Sequence, residues 1–182
     1  MNCLEKYNSK VLQQELALRR TSQNIHETPV IKKIVLNLGM KEVIKDKKRI
    51  LIALLAMEAI TGQKVAITRS KKMVATLKIR KEMIIGCKVT LRGKALFSFL
   101  DKLNTMVFPR IKQYKVFTPA WINKNGDLSF RVRNLLDFVE LERHYELFQD
   151  LPFLDITIVT NTHSEKETLS LLSGYQLPFL RE

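Results

Sequence analysis

Apolar and polar positions alternate with a period of two in several stretches of the chain, the signature of strands with one buried face. In Ile31–Gly39 (IKKIVLNLG), Ile34, Leu36 and Leu38 share one side, and Val35 and Asn37 share the other. In Ile84–Arg92, Cys87, Val89 and Leu91 oppose Lys88, Thr90 and Arg92, and in Leu128–Arg133, Leu128, Phe130 and Val132 oppose Ser129, Arg131 and Arg133. Lys64–Thr68 and Leu154–Thr160 (LDITIVT) complete five expected strands. Helical spacing places Leu4, Tyr7, Val11, Leu12, Leu16 and Leu18 on a helix over residues 3–19. A second helix is expected from a cap at Asp46 to about Thr61, with Ile50, Leu54, Leu55 and Met57 inward and Gly62 as its stop. Lys94–Val107 carries Leu96, Phe99, Leu100 and Leu103 on one stripe, with Pro109 beyond its end. Ser164 and Glu167 have capping-box spacing ahead of a helix through Leu169, Leu171 and Leu172 that stops at Gly174.

Between these elements, Thr21–Pro29 reads as a linker, 110–126 as an irregular basic stretch closing on the turn Asn125-Gly126, and 135–150 as an acidic, aromatic stretch without clear period. Arg69–Arg80 is a long basic excursion between two strands, and a loop of that length inside a compact fold is usually functional. Strands and helices mix without strict alternation and no repeat is visible. The expectation is an α+β fold: a mainly antiparallel sheet with helices packed on one face, leaving the other face for a ligand. The chain reads as a single domain over 1–182, with a helix and linker in 1–28 and the core in 29–182.

Charge sharpens this picture. The 182 residues carry a formal net charge of +13. Residues 1–134 hold 28 basic and 9 acidic side chains, a net of +19, whereas 135–182 hold 3 and 9, a net of −6. Such segregation exceeds what solubility asks for: one part suits a polyanion, and the other faces solvent or a basic protein. Between Lys64 and Lys94 stand ten Lys or Arg and one acid, Glu82, interleaved with Val, Ile, Leu and Met. That segment looks folded while presenting a charged face, as nucleic-acid binding requires. Cys3 and Cys87 make neither a disulfide framework nor a metal spacing, so a reducing compartment is the simpler assumption. No apolar run approaches membrane-spanning length, and the first residues resemble neither a signal nor a transit peptide.

Catalytic chemistry is thin. His26, His144 and His163 stand alone, with no metal-ligand spacing. Gly86 and Gly93-Lys94 approximate a phosphate loop, but the spacing is wrong and Ala95 stands where a magnesium-ligating hydroxyl belongs. Asp137, Glu140, Glu142 and Glu146 lack a partnering base or nucleophile and read as a solvated acidic face. No enzyme, metal or cofactor is expected. Binding chemistry is better supplied: Lys and Arg neutralise phosphates, Arg92 offers a bidentate fork, and Thr90 and Asn37 can bond sugar or base edges. The aromatics do not interleave as a stacking platform, so shape-based contact with folded RNA is favoured.

The runs K-I-V-L-N-L-G, T-G-Q-K, K-I-R and I-G-C-K-V-T-L-R-G, with L-D-I-T-I-V-T near the end, resemble ribosomal protein family five, the 5S-rRNA-binding protein of the large subunit. The match runs in order along essentially the whole chain. The resemblance implies a structural role in the central protuberance. It implies 5S-rRNA contacts at Asn37, Gln63, Thr90 and Arg92, and Lys88 shares the polar face of that strand. It also implies that the loop reaches the elbow of P-site tRNA, with Arg69, Lys71, Lys72, Lys78 and Arg80 as phosphate contacts. The partners are then 5S rRNA, large-subunit rRNA, P-site tRNA and neighbouring ribosomal proteins, including a small-subunit head protein across the intersubunit bridge; no membrane is among them. Two positions at the base of the loop depart from the family pattern. Glu82 replaces a glycine two residues after K-I-R, and Ile84 replaces a proline before I-G, so the base of the loop is expected to be stiffer. The tail E-T-L-S-L-L-S-G-Y resembles mitochondrial members, which points to the matrix ribosome, with a bacterial or plastid ribosome as the alternative. A free-standing RNA chaperone using the same basic face is the competing function; it would be recovered off the ribosome and bind with little RNA preference.

Overall fold

A computed structural model describes residues 3–19, 27–41, 43, 46, 48–111, 117–118, 121–162 and 164–179. His26, His163 and much of the expected linker and of the 110–126 stretch lie outside them. Five strands form one antiparallel sheet in the order β2-β3-β1-β5-β4. They are β1 (Ile31–Gly39), β2 (Ala66–Arg69), β3 (Ile84–Leu91), β4 (Leu128–Val132) and β5 (Leu154–Thr160). Burial follows the alternation read from the sequence. Ile34, Leu36, Leu38, Cys87, Val89, Leu91, Leu128, Phe130, Val132, Leu154, Ile156 and Ile158 form the covered face. The fold is the expected α+β arrangement, with the basic loop between β2 and β3. Its contacts cluster into two compact units, 1–34 with 91–130 and 157–182, and 35–90 with 131–156.

In the first unit, helix α1 runs through Cys3–Tyr7, a π turn Asn8–Leu12, and Gln13–Arg19. The expected stripe is only partly buried. Leu12 and Leu16 are inside, but Val11 and Leu18 are exposed and Asn8 is buried instead. The wider turn rotates the buried side, and a polar group tolerates that burial because it is bonded: the Tyr175 hydroxyl donates to Asn8 Oδ1 at 2.6 Å. Helix α3 (Lys94–Lys102) continues through a π turn, Leu103–Val107, into Phe108–Arg110. Pro109 therefore lies inside the last turn rather than beyond it, close to where the helix ends at Arg110. Leu96, Phe99, Leu100 and Leu103 are buried as expected.

Helix α6 (Glu165–Gly174) begins after Ser164, but the Ser164 side chain makes no capping bond. Gly174 does not end it through a left-handed backbone. A β-carbon there would stand 2.1 Å from Leu12 Cδ1, so a larger residue would have to displace the Leu12 side chain that packs from α1. The Asn125-Gly126 turn is present: the Gly126 N–H donates to the Asn123 carbonyl at 2.8 Å, and Thr160 Oγ1 donates to the Gly126 carbonyl at 2.9 Å.

In the second unit, α2 (Arg49–Thr61) stops at Gly62, whose N–H donates to the Glu58 carbonyl. Asp46 sits three residues before Arg49. Its carbonyl accepts the Arg49 N–H at 3.2 Å and its carboxylate lies 3.9 Å from Arg49 Nε, so it braces the start without capping it. The inward face is Ile50, Ala53, Ala56, Met57 and Ile60. Leu55, expected inward, is 58% exposed, and Leu54 is half-buried. The helix is apolar nearly all round, so period alone does not choose its buried side. The 135–150 stretch folds into a short 3-10 turn (Leu135–Asp137) and two helices, α4 (Val139–Glu142) and α5 (Tyr145–Phe148), that pack on α2.

Candidate nucleic-acid interface

β3 carries the candidate interface because its two faces differ. Cys87, Val89 and Leu91 anchor it in the core, which leaves Lys88 and Thr90 exposed on the other side. Burial pushes the Cys87 thiol up to about 11, so it stays protonated and behaves as a small apolar side chain. Arg92 continues the alternation one residue past the strand and is exposed. β1 lies beside β3 and presents Asn37 between buried Leu36 and Leu38. The two strands meet at Gly86, where a β-carbon would stand 2.3 Å from the Leu38 carbonyl oxygen; only glycine lets the backbones approach this closely.

Gln63 follows the Gly62 stop and is exposed. Its N–H is held by Thr61 Oγ1 at 3.3 Å, and the Thr61 hydroxyl donates to the Met57 carbonyl at 2.7 Å, which aims the chain out of the helix. Among the described residues, none of the side chains of Asn37, Gln63, Lys88, Thr90 and Arg92 is engaged by another part of the protein. Their donors are uncommitted, and no acid stands on β1 or β3 to neutralise Lys88 and Arg92.

The basic loop is a second, ordered hairpin grown from the first. β2 and β3 pair with Ala66 opposite Lys88, and the register slips between Thr68 and Arg69, leaving Ile85 as a bulge. Beyond it, the Ser70 N–H donates to the Met83 carbonyl and the Glu82 N–H to the Ser70 carbonyl, both at 2.9 Å. Near the tip, Val74 and Ile79 exchange two backbone bonds of 3.0 and 3.1 Å around a 3-10 turn, Ala75–Leu77. Arg69, Lys71, Lys72, Lys78 and Arg80 are exposed and, among the described residues, unpaired. An open groove of about 570 Å³ at the loop base is lined by Arg69, Lys78, Arg80 and Lys81 with Val43, Glu82, Met83 and Ile84. Lys81, adjacent to the loop, joins the cations read from the sequence on this groove. Glu82 has φ +65°, a left-handed conformation that an L side chain resists, and this is why a glycine suits its position.

Sequence reading missed the apolar tip and a side-chain cluster assembled on the far strands. Met73, Val74 and Leu77 are exposed on the hairpin tip, which a charge count cannot reveal. Arg131 on β4 donates to Asp155 Oδ1 on β5 at 2.6 Å and lies 5.5 Å from the ring centre of exposed Phe153. Only the pairing of β4 with β5 brings those residues together.

An α+β scaffold with an unengaged donor face and an ordered cationic arm has the architecture of a protein that meets a polyanion such as folded RNA. Comparison with known proteins makes this specific. Residues 24–80 match the family model described as ribosomal protein L5, and residues 84–179 match the model of the same family's C-terminus. The large ribosomal subunit protein uL5m of Reclinomonas americana is 42% identical over 178 residues, covering 98% of each chain. The chain belongs to the ribosomal protein L5 family. It is a mitochondrial-like member with a structural role in the ribosome, and not an enzyme.

Proposed function

We propose that the protein seats 5S rRNA in the central protuberance of the large subunit of the mitochondrial ribosome, and reaches P-site tRNA with the β2–β3 hairpin. Asn37, Gln63, Lys88, Thr90 and Arg92 form the 5S-rRNA seat. Arg69, Lys71, Lys72, Lys78 and Arg80 hold tRNA phosphates. The observation that carries this reading is the division of labour along β3: alternate residues are locked in the core while their neighbours stand exposed with free donors. A strand fixed in this way orients its donors before RNA arrives, so less ordering entropy is lost on binding. The acidic 135–150 stretch, with Glu142 and Glu146 exposed, supports a basic protein neighbour.

The test is a salt titration of binding to 5S rRNA, tRNA and a plain RNA duplex. A clear preference for 5S rRNA at moderate salt is expected, and Arg92→Ala should cost on the order of 1–3 kcal/mol of that affinity. Equal affinity for all three RNAs would remove the seat and leave a non-specific RNA binder.

A further inference from the structure

The tip of the hairpin is built from the wrong residues for a purely phosphate-binding arm. Met73 is 71% exposed, Leu77 60% and Val74 37%, so three apolar side chains cluster at the end of an ordered turn. The backbone does not leave them there by slackness. The Val74–Ile79 pair and the Lys78 N–H to Ala75 carbonyl bond at 3.0 Å fix the turn, and Lys78 takes φ +55° to close it. Exposing this much apolar surface to water is unfavourable, and no covering element stands on it among the described residues.

The ring of charge around the tip says what covers it. Lys71, Lys72, Lys78, Arg80 and Lys81 flank it, with Glu82 the single acid and set back at the base. An apolar protein surface would have to bring a matching crowd of acids. RNA brings both halves at once, phosphates for the cations and flat apolar base planes for methionine and leucine. These are residue types that proteins wedge against base steps. We infer that Met73 and Leu77 pack against an exposed nucleobase plane of folded RNA, while Lys71, Lys72 and Lys78 grip the flanking phosphates. The arm would then choose RNA that ends in an unpaired or terminal base over a continuous helix. This rests on the proposed contact of the loop with tRNA and adds the feature of the tRNA that is touched.

Two variants separate the parts: Met73→Ala/Leu77→Ala, and Lys71→Ala/Lys72→Ala. All four side chains are exposed, so both variants should keep the wild-type melting temperature and circular dichroism. Affinity for folded tRNA and for a long plain duplex is measured against salt. The apolar variant should lose about tenfold or more on tRNA, little on duplex, with an unchanged salt slope. The lysine variant should lose affinity for both RNAs, its salt slope falling by roughly one per lysine. A benzophenone placed at position 73 should cross-link to tRNA bases. If the apolar variant binds tRNA as well as wild type while the lysine variant weakens, the base contact is overturned and the phosphate-binding arm survives. If neither variant affects tRNA, both readings fall. Tip-dependent binding to vesicles containing one-third anionic lipid, in place of tRNA, would identify a membrane surface and overturn both.

Discussion

Glu82 shows how one side chain sets the mechanics of a whole loop. At φ +65° it holds a conformation that costs an L residue about 1–2 kcal/mol, and glycine avoids most of that. Glu82→Gly is therefore expected to raise stability by about 1 kcal/mol, read as a higher midpoint in urea, while freeing the base of the arm. A lower midpoint would mean that the Glu82 side chain has a stabilising contact which outweighs its strain. Cys87 carries a different burden. Its thiol ionises near 8.5 in the unfolded chain but only at about 11 when folded, because the core excludes the thiolate. Above pH 8.5 the unfolded state releases its proton first. Stability contributed by the protonated thiol is thus full below that pH and is lost as pH climbs towards 11. Cys87→Ala should flatten this alkaline decline in a series of denaturation curves taken with Tyr175 left in place.

Elements were legible where their pattern had a single solution. β1, β3, β4 and β5 alternate over most of their length, so one register buries their main apolar set, and their boundaries agree with the expectation within a residue or so. The apolar α2 left its face open, and Leu55 was placed inward although Ala53 and Ala56 fill that space. Small residues are quiet in a hydrophobic pattern, yet they let a helix approach its neighbours. The difference can be measured: Leu51→Gln and Leu55→Gln should each change stability by no more than about 0.5 kcal/mol, whereas Met57→Ala should cost about 2–5 kcal/mol. Equal costs would put the wrong side of α2 in the core. The interface divides in the same way. Lys88, Thr90 and Arg92 were visible because they share the parity of one strand. The Arg131, Asp155 and Phe153 cluster was not, because strand pairing alone assembles it from separate stretches.

At the scale of the molecule, charge and shape act over different ranges. The +19 carried by residues 1–134 draws in any RNA at low salt, and much of that attraction is non-specific. The fixed donors of β1 and β3 work only at contact, where geometry counts. Raising salt strips the first contribution faster than the second. The proposed preference for 5S rRNA over duplex should therefore widen between 50 and 200 mM salt, in a competition assay, even as both affinities fall. A constant ratio would mean that charge alone does the choosing.

The bond between Tyr175 and Asn8 joins residues 167 positions apart. During synthesis Asn8 is made first, and its partner is added only 167 residues later. Until then the first helix has a polar group to bury and nothing to satisfy it, and Leu12 lacks the Gly174 surface on which it packs. Closure of this helix therefore waits until Gly174 and Tyr175 have been made. A product broken off before Tyr175 would betray itself at its opposite end, offering an undocked helix to chaperones and proteases before it could occupy a place in an assembling subunit.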